Sequence, residues 1–268
     1  MGASKCVDGA TASLNRECCS ADWRSRLTSR DSIEIAMTFC LILLALWTAK
    51  PWQDLLGWLA LLWIVVATWR SRQSAAALGL RLAGLGRSLW VVGVTVISAA
   101  IIVWIAWRMQ TLHIVSRGLP IWLGFWVYMF WALVQQFILQ DFFLMRLLRV
   151  LPSHTAAVVV SAFLFAAVHL PNPLLTIVTL VWGATACALF LQYHNLYSLG
   201  LAHGILGLCL AISVPNSVHH QMRVGLSYLR WRPTPAPLQR SQMDQMVSTD
   251  ACVIADAARR RSSLHARP

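Results

Sequence analysis

Apolar residues in this chain do not alternate with polar ones. They come in long runs, roughly 33–49, 54–69, 88–107, 121–140, 156–170, 174–192 and 196–214. A bilayer core about 30 Å thick needs roughly 20 apolar residues per helix, whereas strands need short alternating segments. The pattern therefore predicts an all-α fold, a polytopic transmembrane helical bundle of about 6–8 spans. The fourth run extends toward residue 149. Trp47, Trp52, Trp69, Trp107 and Trp122 fall near run ends, where aromatic rings settle at a membrane–water interface.

The polar stretches suggest an organisation. Residues 1–32 read as a basic cytoplasmic tail, 33–117 as accessory transmembrane helices, 118–216 as a core, and 217–268 as a polar tail expected to be disordered. About 32 polar residues precede the first run, and no small-residue cleavage site follows it, so no cleavable signal peptide is expected. Topology is harder to read. Lys5, Arg16, Arg24, Arg26 and Arg30, the loop with Arg70, Arg72, Arg81 and Arg87, and the stretch with Arg223, Arg230 and Arg232 all look cytoplasmic. Seven spans would put the last of these on the other side. The short connection around Ala49-Lys50-Pro51-Trp52 is the natural place for a miscount.

Composition agrees with the pattern. Hydrophobic residues make up 58% of the 268 and charged residues 12%, against about 25% charged in an ordinary soluble domain. That excludes a soluble enzyme, a disordered chain and a fibrous repeat. The net charge of +12 fits topology signals and contact with anionic membrane lipid. No nucleic acid partner is expected, because no recognised fold or basic helix supports one. Of seven Cys, Cys40, Cys187 and Cys209 lie in apolar runs and none forms a CxxC pair, so no disulfide framework or zinc ribbon is read. Between Asp54 and Asp244 the only acidic residue is Asp141.

Polar side chains at membrane depth are costly and usually functional. Three clusters qualify. The first is Gln135, Gln136, Gln140 and Asp141, followed by Arg146 and Arg149. Gln136 and Gln140, four apart, share a helix face. The second is FAAVH at 165–169, with Phe165 and His169 four apart. The third is His203 in HGILG at 203–207. Single glutamines often serve only to hydrogen-bond neighbouring helices. Single buried histidines are often structural. Two His on separate spans can also meet, and there either hold a metal or polarise a water.

The order and spacing of these clusters resemble the CPBP family of intramembrane proteases, which includes type II CAAX prenyl proteases and bacteriocin-processing or immunity proteins. Their pattern is EExxxR, FxxxH and HxxxN or HxxxD on three helices. FAAVH matches the second motif fully, His203 starts the third, and QQFILQ at 135–140 fits the first by position. The resemblance covers roughly 120–215. It implies an intramembrane endopeptidase that hydrolyses a peptide bond near the C-terminus of a membrane-associated peptide or protein substrate. His169, His203, Gln135, Gln136, Gln140 and Asp141 become the candidate catalytic residues. A divalent metal such as zinc on His169 and His203, or no metal, both stay open. The location implied is a cell membrane, multi-pass, as in a bacterial inner membrane.

The departures are specific. Gln135 and Gln136 replace the glutamate pair, Gln140 the arginine, and Gly207 the last Asn or Asp. A glutamine has no titratable carboxylate and cannot be a general base. An alternative frame reads Asp141 and Arg146 as the first Glu and the Arg, leaving Phe142 in the second Glu position. On an ideal α-helix Asp141 lies about 140° around and about 7.5 Å along from Gln136. The bland expectation pairs Asp141 with Arg146 or Arg149. Three functions are weighed: a peptidase, a catalytically inactive relative acting as a membrane scaffold or binding protein, and a small transporter. The last lacks paired broken helices or a repeated half.

Overall fold

The computed structural model describes residues 29–82, 84–113 and 120–232. Most of the expected tails, 1–28 and 233–268, lie outside the described residues. The helices below belong to one unit, Met1–Trp231. In chain order they are α1 (29–47), α2 (Trp52–Arg70), α3 (Leu85–Arg108) and α4 (Ile121–Phe137). A π-helical segment, Ile138–Leu144, joins α4 to α5 (Met145–Val150) without a break. Then come α6 (His154–Ala167), α7 (Pro173–Tyr193), α8 (Leu196–Ser213), α9 (Asn216–His219) and α10 (Gly225–Leu229). Residues 29–32, grouped with the tail on sequence, are helical.

The fold is an all-α polytopic bundle. Among the described residues, five helices are long and apolar enough to cross a membrane: α2, α3, the continuous Ile121–Val150, α7 and α8. The α6 helix is shorter, at 14 residues. The outer surface is apolar too, with Trp58, Leu62, Val65, Ile97, Trp104, Phe130 and Val181 all exposed. Such a surface suits lipid, and helices satisfy their own backbone groups there.

Local chemistry fixes where the helices start and stop. Ser153, Asn172 and Asn195 are N-caps whose side chains accept from the backbone N–H of Ala156, Leu175 and Ser198. Pro173 opens α7, where a missing N–H costs nothing. His194, left-handed at φ 49°, closes α7.

The helix ends show how often the chain traverses the bundle. At one end, Leu196 N–H donates to Gly79 O, Asn195 to Arg81 O, and Arg149 pairs with Asp31. At the other, His113 N–H donates to Ile212 O and Gly225 N–H to Leu170 O, and Gly225 packs on Leu46. The first end holds the start of α1, α3, α6 and α8; the second holds their finish. The chain therefore passes between the two ends seven times. The Ala49–Trp52 connection is a real turn. Both ends carry arginine: Arg30, Arg70, Arg72, Arg81, Arg87 and Arg149 at one, Arg108, Arg223 and Arg230 at the other. That is why charge alone could not place the later stretch.

The largest helix interfaces are α4 with α8, α6 with α7, and α3 with α8. The α4–α8 seam is built on glycines. A Cβ on Gly200 would meet Leu133 Cδ1 at 2.6 Å, one on Gly204 would meet Met129 Sδ, and one on Gly207 would meet the Tyr128 hydroxyl. Small residues at such spacing let two membrane helices approach closely. The π segment lies at the centre, with Leu139, Gln140, Asp141, Phe142, Phe143 and Leu144 all buried.

Candidate active site

The α4–α8 seam brings two of the three polar clusters together. Gln140 Nε2 donates to Gln136 Oε1 at 3.1 Å, and Gln136 Nε2 donates to His203 Nδ1 at 2.8 Å. Gln136 and Gln140 are fully buried, and His203 is 8% exposed. In this order of amide groups, the imidazole accepts at Nδ1. With Nδ1 accepting, the neutral ring carries its proton on Nε2 and can donate from there.

The second cluster, FAAVH, arrives through Phe165. Its ring contacts His169 at 5.0 Å and His203 at 5.7 Å between centroids, so the two imidazoles flank one phenyl group. His169 Nδ1 lies 2.7 Å from Phe165 O. A carbonyl only accepts, so Nδ1 carries the proton and Nε2 keeps an open lone pair. The site thus offers one imidazole as donor and one as acceptor. Trp182 packs beside His203 at 6.1 Å, and its buried indole N–H has no partner among the described residues.

Gln135 is half-buried and takes no part in the Gln140–Gln136–His203 chain. Asp141 is 2% exposed, and neither carboxylate oxygen has a hydrogen-bond partner among the described residues. The expected pairing of Asp141 with Arg146 or Arg149 does not occur. Arg146 binds Glu34 and Arg149 binds Asp31, both on α1. The ideal-helix offset between Gln136 and Asp141 does not apply either, because residues 138–144 are π-helical. Of the two motif frames, the one starting at Asp141 has a buried arginine, Arg146, at 1% exposure.

Sequence reasoning missed Asp31, Glu34 and Trp182. A signal for the first two existed. Asp31 and Glu34 are three apart, as are Arg146 and Arg149, so each pair lies on one helix face ready for an antiparallel match. Trp182 gave none, since tryptophans recur throughout the chain.

Among the described residues, no group of three or more His, Cys, Asp or Glu comes together that could hold a metal ion. Zinc sites use at least three protein ligands. His169, with Nδ1–H on Phe165 O, keeps an Nε2 lone pair that could ligate a metal, but among the described residues no set of three ligands that zinc needs gathers around it.

An all-α membrane bundle with a buried amide–imidazole chain and a second imidazole across a phenyl ring is the class this geometry defines. The family model described as Rce1-like, type II CAAX prenyl endopeptidase Rce1-like, matches residues 117–209. That stretch holds all three polar clusters and agrees with the resemblance carried by FAAVH and His203. Residues 117–209 are thus similar to this family, within a chain whose described residues form a membrane-type apolar helical bundle. No curated protein and no solved structure matches the chain.

Proposed function

We propose that this protein is an intramembrane endopeptidase whose site is formed by Gln136, Gln140, His169 and His203, with Asp141 on the adjoining turn. The observation that carries this reading is the Gln140–Gln136–His203 chain facing His169 across Phe165. The family match over the same residues supports it.

The chemistry follows from the two imidazoles. His169 Nε2 takes a proton from a water, whose oxygen attacks the scissile carbonyl carbon. His203 Nε2–H hydrogen-bonds the oxygen that gains negative charge. The tetrahedral intermediate collapses, the C–N bond breaks, and the proton on His169 passes to the leaving amine. Gln136 holds the His203 tautomer throughout. The substrate is a membrane-associated peptide or protein. The protein is multi-pass, with the end bearing Arg70, Arg72, Arg81 and Arg87 toward the cytoplasm.

One observation favours a second reading, a scaffold without turnover: the hydrogen-bonded chain contains no carboxylate. A cleavage assay on purified protein decides between them. The substrates are a prenylated CAAX-type peptide and a bacterial membrane-peptide library. Alanine variants of His169, His203, Gln136 and Asp141 run beside wild type. Cleavage by wild type and its loss in His169→Ala and His203→Ala is the expected result. No cleavage of any substrate leaves the scaffold reading, and full activity in both His variants removes the site.

A further inference from the structure

The acidic residues of α1 reach the core through two matched pairs. Arg149 Nε and Nη2 donate to Asp31 at 2.6 and 2.9 Å. Arg146 Nε donates to Glu34 Oε2 at 2.8 Å, and its Nη2 lies 2.8 Å from the same oxygen. Arg30 Nε meets the other oxygen of Glu34 at 2.9 Å. Glu34 is thus held between two guanidinium groups, one of them almost wholly buried. A buried arginine with no carboxylate is strongly destabilising, and no acidic residue on the helices flanking Arg146 takes that role. Glu34, 112 positions away, does.

The rest of the Arg146 guanidinium points into the π segment. Nη1 approaches Phe142 O at 3.2 Å and Asp141 O at 3.4 Å, and the guanidinium carbon sits 3.7 Å from the centre of the Phe142 ring. A π segment carries an extra residue relative to an α-helix, and its backbone carbonyls are less well served by the helix's own amides. Shifting that register by one residue would rotate side chains by about 100° and move them about 1.5 Å. Gln140, which starts the chain to His203, and Asp141 both lie in it.

We propose that Glu34 is a positioning residue of the candidate site, acting through Arg146 on the π segment that carries Gln140 and Asp141. Glu34 orients the guanidinium, the guanidinium caps the carbonyls of Asp141 and Phe142, and the capped segment keeps Gln140 on Gln136. The site is then incomplete without α1, although α1 lies outside the family-matched stretch. This inference rests on the site proposed above.

Hydrogen exchange by mass spectrometry on the full chain in lipid nanodiscs tests it without needing turnover. In Glu34→Gln, amides of 138–144 should exchange at least about tenfold faster, the order expected for losing one charge-assisted hydrogen bond. The α7 and α8 peptides should not change. Glu34→Gln/Arg146→Met leaves no unpaired charge, and it should show the same acceleration, because the carbonyls lose their donor. Asp31→Asn loosens α1 without touching the π segment and should leave 138–144 as in wild type. Wild-type exchange at 138–144 in both Glu34 variants overturns the proposal, as does equal acceleration in Asp31→Asn. Where wild type cleaves, Glu34→Gln should lower kcat with little change in KM, and Glu34→Asp should recover part of it. Absence of cleavage by wild type would count against the site reading alone, since the exchange result stands by itself.

Discussion

Asp141 is the residue where sequence and structure pull hardest against each other. On sequence it is the one acid in the core and so a candidate base. In the structure its carboxylate is buried with both oxygens unpaired, while the neighbouring arginines are engaged elsewhere. Burying such a group without partners is unfavourable, and groups that persist in that state are often kept for function. Asp141→Asn removes the ionisable group at constant size. It should leave the fold intact and raise stability by about 1 kcal/mol, read as a higher unfolding midpoint in detergent. If cleavage also falls by about a hundredfold, Asp141 and not His169 is the base, in keeping with the usual range for general bases. A lower midpoint with unchanged cleavage would mean that it has a hidden structural partner. The sequence exposed Gln136, His169 and His203, because polar groups stand out in apolar runs. It could not expose the partners of Arg146 and Arg149, since a pairing across more than a hundred residues leaves only a matched i, i+3 spacing behind.

At the scale of elements, the helices were legible and their internal geometry was not. All seven apolar runs are helices within a few residues, because run length and turn chemistry are local. The π segment is not local. Its contacts come from far along the chain: Arg146, itself bonded to Glu34, reaches Phe142 O, and α6 and α7 pack against it. The glycines of α8 give a direct test of the seam. For Gly200→Ala, the new Cβ would sit 2.6 Å from Leu133 Cδ1 and 3.2 Å from its Cα, and the latter cannot move aside. Gly200→Ala should destabilise by about 1–3 kcal/mol. Gly93→Ala on α3 meets nothing within 4 Å and should be neutral or stabilising by up to about 1 kcal/mol. Equal unfolding midpoints for the two would show that the seam is looser than described. The α9–α10 stretch offers a pH test outside the spans. His219 Nδ1 accepts from Met222 N–H, and burial holds this imidazole below its usual range. A depressed histidine pKa stabilises the fold above its unfolded value of about 6.5, and that contribution is lost as pH falls through the folded value. Proteolysis at Arg223 and Arg230 should therefore speed up between about pH 7 and pH 5, and His219→Asn should flatten the dependence.

At the scale of the whole molecule, the pass count decides where substrate and tails lie relative to the site. Seven passes put the start of α1 and the α9–α10 stretch on opposite sides. The arginines of Arg223 and Arg230 argued for the same side. The contacts favour the former, since α3 and α8 start together near Gly79 and Leu196 and finish together near His113 and Ile212. Two helices bonded at both ends cannot run in opposite senses. Arginine is more abundant at the first end but present at both, so the same charge rule applied to each stretch alone puts both on one side. In a chain with its seven cysteines replaced by serine or alanine, single cysteines at Gln73 and at Arg223 settle the matter. An impermeant thiol reagent added outside sealed spheroplasts should label Arg223→Cys and spare Gln73→Cys, and inverted vesicles should give the reverse. Labelling of both from one side would mean an even number of crossings, with one of the seven passes failing to cross. The α6 helix would then be the first suspect, because its 14 residues rise only about 21 Å. His169, just past its end, would then face the side where α6 starts, with the α7–α8 turn on the opposite side.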